Sequence, residues 1–135
     1  MSTRSLAFFP RFFMLCLLGV FLVACGSSSS PEGTVNDYFK AVVDNRVEDA
    51  VAFYSIKDVK DNDLTMVKGK LQMIVGEQIS KMQKSGGLQT LTTKTVSAEG
   101  DTATVEVEIT YGNGKKESET LKLGKEEGGW KILLN

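Results

Sequence analysis

The chain has 135 residues, with 16 basic and 17 acidic side chains, a formal net charge of −1 and no histidine. Its length suits one small domain with its own core. Its charge balance argues against a nucleic-acid partner, which requires clustered Lys and Arg. The lack of histidine removes the commonest general base and the commonest metal ligand.

Both cysteines, Cys16 and Cys25, lie near the start of the chain. The rest of the sequence therefore contains no disulfide, no thiol nucleophile and no cysteine ligands for zinc or an iron–sulfur cluster. Together with the missing histidine, this predicts a domain without a metal and without a cofactor.

The N-terminal segment is typical of a bacterial lipoprotein precursor. A positive start, with Arg4 and Arg11, precedes an apolar run that is short for a membrane-spanning helix. The run ends in Leu22-Val23-Ala24-Cys25, which matches the lipobox recognised by signal peptidase II. We predict a signal peptide over residues 1–24 and lipid attachment at Cys25. The alternative is a signal anchor in which Cys25 is an ordinary residue.

A serine-rich stretch follows the cysteine and is typical of a tether. We therefore expect a lipidated cysteine and flexible tether over residues 25–30 and one domain over residues 31–135. Gly26 occupies the position where Asp often retains lipoproteins in the inner membrane of Gram-negative bacteria. The sequence thus predicts a lipid anchor in the bacterial envelope, in the outer membrane and facing the periplasm.

Two helices are predicted at the start of the domain. Ser30-Pro31-Glu32 supplies an N-cap, a proline suited to the first helical position and an early acidic side chain. Apolar side chains at helical spacing then continue to about Asp44. A shorter repeat of the same pattern predicts a second helix from Val47 to Tyr54.

A third helix is predicted from about Leu64 to Lys84, after a polar loop. Gly69 and Gly76 inside it predict close packing or a bend, because each costs roughly 1 kcal/mol relative to Ala. The apolar positions of this predicted helix are Leu64, Val67, Leu71, Ile74, Val75, Ile79 and Met82.

Four strands are predicted after the helices. A Thr-rich strand over Leu88–Ala98 is followed by a strictly alternating strand that ends at Tyr111. After a hairpin turn at Asn113-Gly114, the third strand spans Lys116 to Leu123. The last strand would bury Trp130, Ile132 and Leu134. This order predicts an α+β fold, with three N-terminal helices packed on a four-stranded antiparallel sheet.

Several segments carry a resemblance to a known group. They are Ser30-Pro31-Glu32, Tyr38-Phe39, Asp49 to Ser55, Gly100 to Val105 and Gly128 to Ile132. With the lipobox, they resemble small bacterial lipoproteins that have a lumazine-binding-like domain of unknown function, in the nuclear transport factor 2-like, or cystatin-like, superfamily. The resemblance implies a cone-shaped sheet curled around a long helix, with a pocket at the open end. Some relatives are isomerases or dehydratases, and many are not catalytic.

Four aromatic side chains are candidate pocket-lining residues, namely Tyr38, Tyr54, Tyr111 and Trp130. Each combines an apolar ring with a polar group that can point into a pocket. The alternative is that these side chains only fill the core.

Carboxylates provide the other candidates. Glu106 and Glu108 share one strand face, which we expect to be wet, whereas Glu117 and Glu119 share a face with Leu121 and Leu123. The second pair is therefore expected either at the mouth of the concave face or beyond the end of the core. A loop containing Asp58, Asp61 and Asp63 supplies oxygen atoms that could bind calcium. Because it lacks the spacing and the turn glycine of a calcium-binding loop, we instead expect a solvated loop in which Asp61 to Asp63 cap the third helix.

These features favour a membrane-anchored lipoprotein whose small domain binds an apolar ligand or an envelope protein without catalysis. No catalytic residue is assigned. One alternative is a cofactor-free isomerase or hydrolase that uses a carboxylate and a tyrosine in the pocket. The other is a homodimeric envelope structural protein, although the Thr- and Glu-rich outer face of the sheet argues against a dimer through that face.

Overall fold

Three α-helices precede a four-stranded sheet in a computed structural model that describes residues 30–135. The strands form one antiparallel sheet in the order β1-β2-β3-β4, so the predicted α+β arrangement is confirmed. None of the helices in this part of the chain is long and apolar enough to cross a membrane. The elements are α1 (Pro31–Val43), α2 (Val47–Val51), α3 (Leu64–Lys84), β1 (Leu88–Glu99), β2 (Thr102–Tyr111), β3 (Lys116–Glu126) and β4 (Gly129–Ile132).

Helix α1 begins as the sequence predicts. The Ser30 hydroxyl accepts a hydrogen bond from the Gly33 backbone N–H at 3.0 Å, and Pro31 occupies the first turn, where its missing N–H has no helical partner. Its buried side chains include Val35 and Phe39, both fully shielded from solvent. This helix therefore forms the centre of the core.

Helix α2 is shorter than predicted. The prediction of a helix to Tyr54 is wrong, because the chain after Val51 turns towards the last strand. The backbone N–H of Ser55 donates to Ile132 O, and the N–H of Ile132 donates to Phe53 O, both at 2.8 Å. These bonds take the place of helical ones, and Tyr54 pairs with Ile132 in an isolated bridge.

Helix α3 has nearly the predicted bounds and begins after a 3₁₀ turn at Asp61–Asp63. Asp63 occupies the N-cap position, but its side chain makes no capping hydrogen bond, so the expected capping role is not seen. Of the apolar positions listed for this helix, Leu71, Val75, Ile79 and Met82 are buried. Ile74 is not part of the core, since the residue is 50% exposed.

The register of the sheet places its side chains on two faces. We call the face that carries the buried Val105, Val107 and Ile109 the inner face. Residues directly opposite each other in an antiparallel pair lie on the same side of the sheet. Because Val107 pairs with Glu119 and Ile109 pairs with Glu117, both glutamates lie on the inner face.

The C-terminal strand is shorter than the predicted alternation. Ile132 is buried and pairs with Leu123, and Trp130 is half-buried against the core. The prediction that Leu134 is buried is wrong, because β4 ends at Ile132 and the side chain of Leu134 is 43% exposed.

Candidate ligand-binding site

A pocket of about 360 Å³ lies between α3 and the inner face of β2 and β3. Helix α1 and the turn after α2 contribute one tyrosine each. Strand β2 contributes an isoleucine and a tyrosine, and β3 contributes both apolar and acidic side chains. The lining residues are Tyr38, Tyr54, Ile74, Glu77, Gln78, Lys81, Ile109, Tyr111, Glu117, Ser118, Glu119 and Leu121.

Two of the tyrosines form a hydrogen-bonded chain at the inner end of the pocket. The Tyr54 hydroxyl donates to the Tyr38 hydroxyl at 3.2 Å, and the Tyr38 hydroxyl donates to Gln78 Oε1 at 2.5 Å. The rings of Tyr38 and Tyr54 meet edge to face with centroids 5.6 Å apart. Burial raises the pKa of both hydroxyls, so both keep their protons at neutral pH.

The third tyrosine belongs to a separate charged group. The Tyr111 hydroxyl donates to Glu117 Oε2, and Lys81 Nζ donates to Glu117 Oε1. These two hydrogen bonds lower the pKa of Glu117. Burial, together with the hydrogen bond to the carboxylate, raises the pKa of Tyr111 to about 12. The charge of Glu117 is thus stabilised by groups from α3 and β2.

Glu119 lies two residues along the same strand in a different environment. Within residues 30–135, no hydrogen bond or ion pair engages its carboxylate. Although the residue is exposed to solvent, the protein around its carboxyl removes water, and this desolvation raises its pKa. The charge of Glu117 raises it further, whereas Lys81 opposes the shift. The Glu119 charge in turn raises the pKa of all three tyrosines.

A family model matches residues 23–133 of this chain, and its description is "Domain of unknown function (DUF4878)". The chain belongs to the DUF4878 family. No functionally curated protein matches the sequence.

Solved structures show the fold of this DUF4878 domain. A provisionally named NTF2-like transpeptidase from Campylobacter jejuni superposes with a TM-score of 0.72 at 22% identity, covering 79% of this chain and 100% of that one. A SEC-C motif-containing protein from Rhodopseudomonas palustris superposes with a TM-score of 0.52 at 18% identity, covering 84% of this chain and 82% of that one. The domain therefore has an NTF2-like fold.

The structure brings together three of the four aromatic candidates. Tyr38, Tyr54 and Tyr111 all line the pocket, whereas Trp130 is not among its lining residues. Trp130 lies on β4 against the core, and its carbonyl accepts a hydrogen bond from Thr34 Oγ1 at 3.3 Å. Whether the three tyrosines bind a ligand stays a prediction.

The sequence reasoning missed four polar lining residues, which are Glu77, Gln78, Lys81 and Ser118. The first three lie within five positions on α3, next to the buried residues Ile79 and Met82. At that spacing, polar side chains are indistinguishable from an ordinary wet helix face. The parity that places Glu117 and Glu119 on the inner face was the one sequence signal that pointed to the charged side of the pocket.

The remaining candidates do not join this site. Glu106 and Glu108 are exposed on the opposite face of the sheet, where Lys116 Nζ lies 4.0 Å from Glu108. Asp58 and Asp61 are exposed, and residues 30–135 contain no cluster of three potential metal-ligating side chains. The lipobox, Leu22-Val23-Ala24-Cys25, lies outside the described residues.

Proposed function

We infer that this protein is an envelope lipoprotein whose NTF2-like domain binds a small molecule between α3 and the sheet. The observation that carries the proposal is the pocket itself, where a carboxylate that no other described residue pairs with lies near three tyrosines. Its volume of about 360 Å³ is within the range of small-molecule sites. Apolar walls with a few fixed polar groups are also typical of such sites.

The lipid anchor is the part of the proposal supported by sequence alone. Changing Cys25 to Ser removes the thiol that would form the thioether, so we expect loss of lipid labelling and accumulation of the uncleaved precursor. Because each buried methylene contributes about 0.8 kcal/mol, a diacylated cysteine holds the protein firmly in the membrane. Metabolic labelling with a palmitate analogue measures the loss, with Cys16→Ser as the matched control. Undiminished labelling of Cys25→Ser would contradict the lipobox interpretation.

Native mass spectrometry of the protein extracted from its own membranes tests ligand binding. We expect a stoichiometric small-molecule adduct that disappears on unfolding. The variant Ile74→Trp places a large ring at the pocket rim and should remove the adduct. Met73→Trp is the matched control, because Met73 is the neighbouring residue, is 67% exposed and does not line the pocket.

Other outcomes of that experiment count against ligand binding. A co-purifying protein or a homodimer without an adduct would indicate an adaptor or structural role instead. An adduct that survives unchanged in Ile74→Trp would place the ligand elsewhere. The lumazine-binding-like relationship stays a prediction, and identification of the adduct would also test it.

The geometry also favours a second candidate, a cofactor-free isomerase or hydrolase. A carboxylate with a raised pKa, facing tyrosine hydroxyls that keep their protons, is an arrangement suited to general acid–base chemistry. Glu119 would accept the proton in such a reaction. Once the adduct is known, turnover of that molecule, lost in Glu119→Gln but retained in Glu106→Gln, would establish catalysis. Binding without turnover would exclude it for that ligand.

A further inference from the structure

The charges that line the pocket are unbalanced. Glu77, Glu117 and Glu119 face a single cation, Lys81. Lys81 already donates to Glu117, which also accepts the Tyr111 hydroxyl. The pocket therefore keeps an excess of negative charge, and Glu119 is the acid on its inner face that no described group engages.

The tyrosine hydroxyls, like the excess negative charge, favour a ligand that donates hydrogen bonds. All three hydroxyl protons are committed, since Tyr54 donates to Tyr38, Tyr38 donates to Gln78, and Tyr111 donates to Glu117. The tyrosine oxygens therefore offer lone pairs rather than protons to anything that enters. Among the described residues, the donors that remain on the pocket side chains are the Gln78 amide, the Ser118 hydroxyl and the remaining N–H groups of Lys81. A ligand at Glu119 thus meets mainly acceptors.

Part of the wall around these acceptors is apolar. Ile109 and Leu121 line the pocket from neighbouring strands, and Ile74 lies at the rim on α3. The aromatic rings of Tyr38 and Tyr54 add surfaces that favour both apolar groups and cations. A purely apolar ligand would leave the Glu119 carboxylate desolvated without compensation, which is costly.

We propose that the pocket binds a small organic ammonium ion with an apolar body, and that Glu119 is its counter-ion. This assignment rests on the proposed function, because it names the class of ligand for the same site. The ammonium group donates hydrogen bonds to the Glu119 carboxylate, and the apolar body lies against the isoleucine and leucine walls.

Binding of such a ligand is linked to protonation. The groups around Glu119 are Glu117 on its own strand, Glu77 and Lys81 on α3, and the three tyrosines. An ammonium ion binds the ionised carboxylate, so its affinity rises as pH rises through the pKa of Glu119. A bound cation also lowers that pKa, so binding near it releases a proton.

Three probes test the assignment. They share one apolar body and differ in the polar group at its end, which is cationic, uncharged or anionic. They are 2-phenylethylammonium, 2-phenylethanol and 3-phenylpropanoate. Each is titrated into the isotopically labelled mature lipoprotein in one zwitterionic detergent, and the dissociation constant is measured from the backbone amide shifts of residues 117–121. The fraction of a given probe that the detergent micelles take up is the same for every variant. It therefore does not affect a comparison of that probe's binding to different variants.

We expect the dissociation constant of the ammonium probe to be lower than that of the alcohol by a factor of about five or more. The carboxylate probe should have the highest dissociation constant of the three. Glu119→Gln should remove the preference for the ammonium probe and its dependence on pH. Glu106→Gln should preserve both, because it removes the same charge from the other face of the sheet.

Two results would overturn the assignment while leaving the proposed function intact. One is equal or tighter binding of the alcohol, and the other is an ammonium preference that persists in Glu119→Gln. If none of the probes shifts the pocket amides, the assignment is also wrong. Native mass spectrometry then decides the proposed function separately, since an uncharged or anionic adduct would support ligand binding and a missing adduct would not.

Discussion

The two halves of the inner face of the sheet differ sharply, although both include β2 and β3. In the closed half, Val105, Leu123 and Ile132 are buried in one cluster with Val35 and Phe39 of α1. In the open half, β2 and β3 present one tyrosine and two glutamate side chains to the pocket beside α3. Strand alternation alone therefore does not decide whether an inward-facing side chain is apolar or acidic. The cover over that position decides it, because α1 packs on the closed half whereas the open half borders a pocket, and acidic groups are tolerated only where water reaches them.

The largest loss of stability should come from truncating a buried side chain in the closed half. Phe39 is fully buried, so Phe39→Ala creates a cavity, and we expect a loss of about 3–5 kcal/mol in the free energy of unfolding. Urea denaturation followed by circular dichroism measures it.

Ile74→Ala provides the matching change in the open half. The residue is half exposed at the pocket rim, and its truncation should cost less than about 1 kcal/mol. Similar losses for the two variants would show that the two halves do not differ in packing as described.

An intermediate effect is expected at the contact that holds the end of α3 beside β2. The Gly112 N–H donates to Gly87 O at 2.9 Å, and a Cβ at Gly112 would lie 2.1 Å from Gly86 O. Gly112→Ala therefore forces two backbone segments apart, and we expect destabilisation of about 1–3 kcal/mol, measured by thermal and urea unfolding.

Gly76→Ala, inside α3, is the control for the glycine substitution. No atom lies within 4 Å of a Cβ built there, so the expectation of close packing at Gly76 is wrong for the described residues. The variant should gain about 0.5–1 kcal/mol from helix propensity. Destabilisation of this variant would indicate a partner that covers this side of the helix.

The smallest effect should come from the carboxylate in the open half. Folding raises the pKa of Glu119 above its ordinary value of 4.5, so folding favours the protonated form. Its favourable contribution is present below that value and is lost as pH rises through the raised pKa. Glu119→Gln should therefore match the parent protein near pH 4 and become more stable than it at neutral pH, by less than about 1 kcal/mol.

Urea unfolding of both proteins between pH 4 and pH 8 measures that difference. The lowered pKa of Glu117 acts in the opposite direction in both proteins. Its contribution cancels in the comparison except for the part that comes from the charge of Glu119 itself. A stability difference that does not change with pH would contradict the environment described for Glu119.

Local patterns were sufficient for most of the fold. The N-cap at Ser30, the alternation along β2 and the glycines that follow α3 depend on interactions within a few residues, and all of them appear where the sequence predicted. The predictions for Tyr54 and Leu134 were wrong for one shared reason. Each residue continues a regular pattern past the point where contacts distant in sequence end the element.

For the candidate site, the chain sequence determined which strand face Glu117 and Glu119 occupy, because side-chain parity is a local property of a strand. The tertiary structure alone determined that Lys81 and Tyr111 engage Glu117 and leave Glu119 without a hydrogen-bond or ion-pair partner among residues 30–135. Those contacts join α3 to β2 and β3, and no local pattern encodes the spacing between a helix and a sheet. That spacing leaves room for a pocket, and it makes two glutamates on the same strand chemically different.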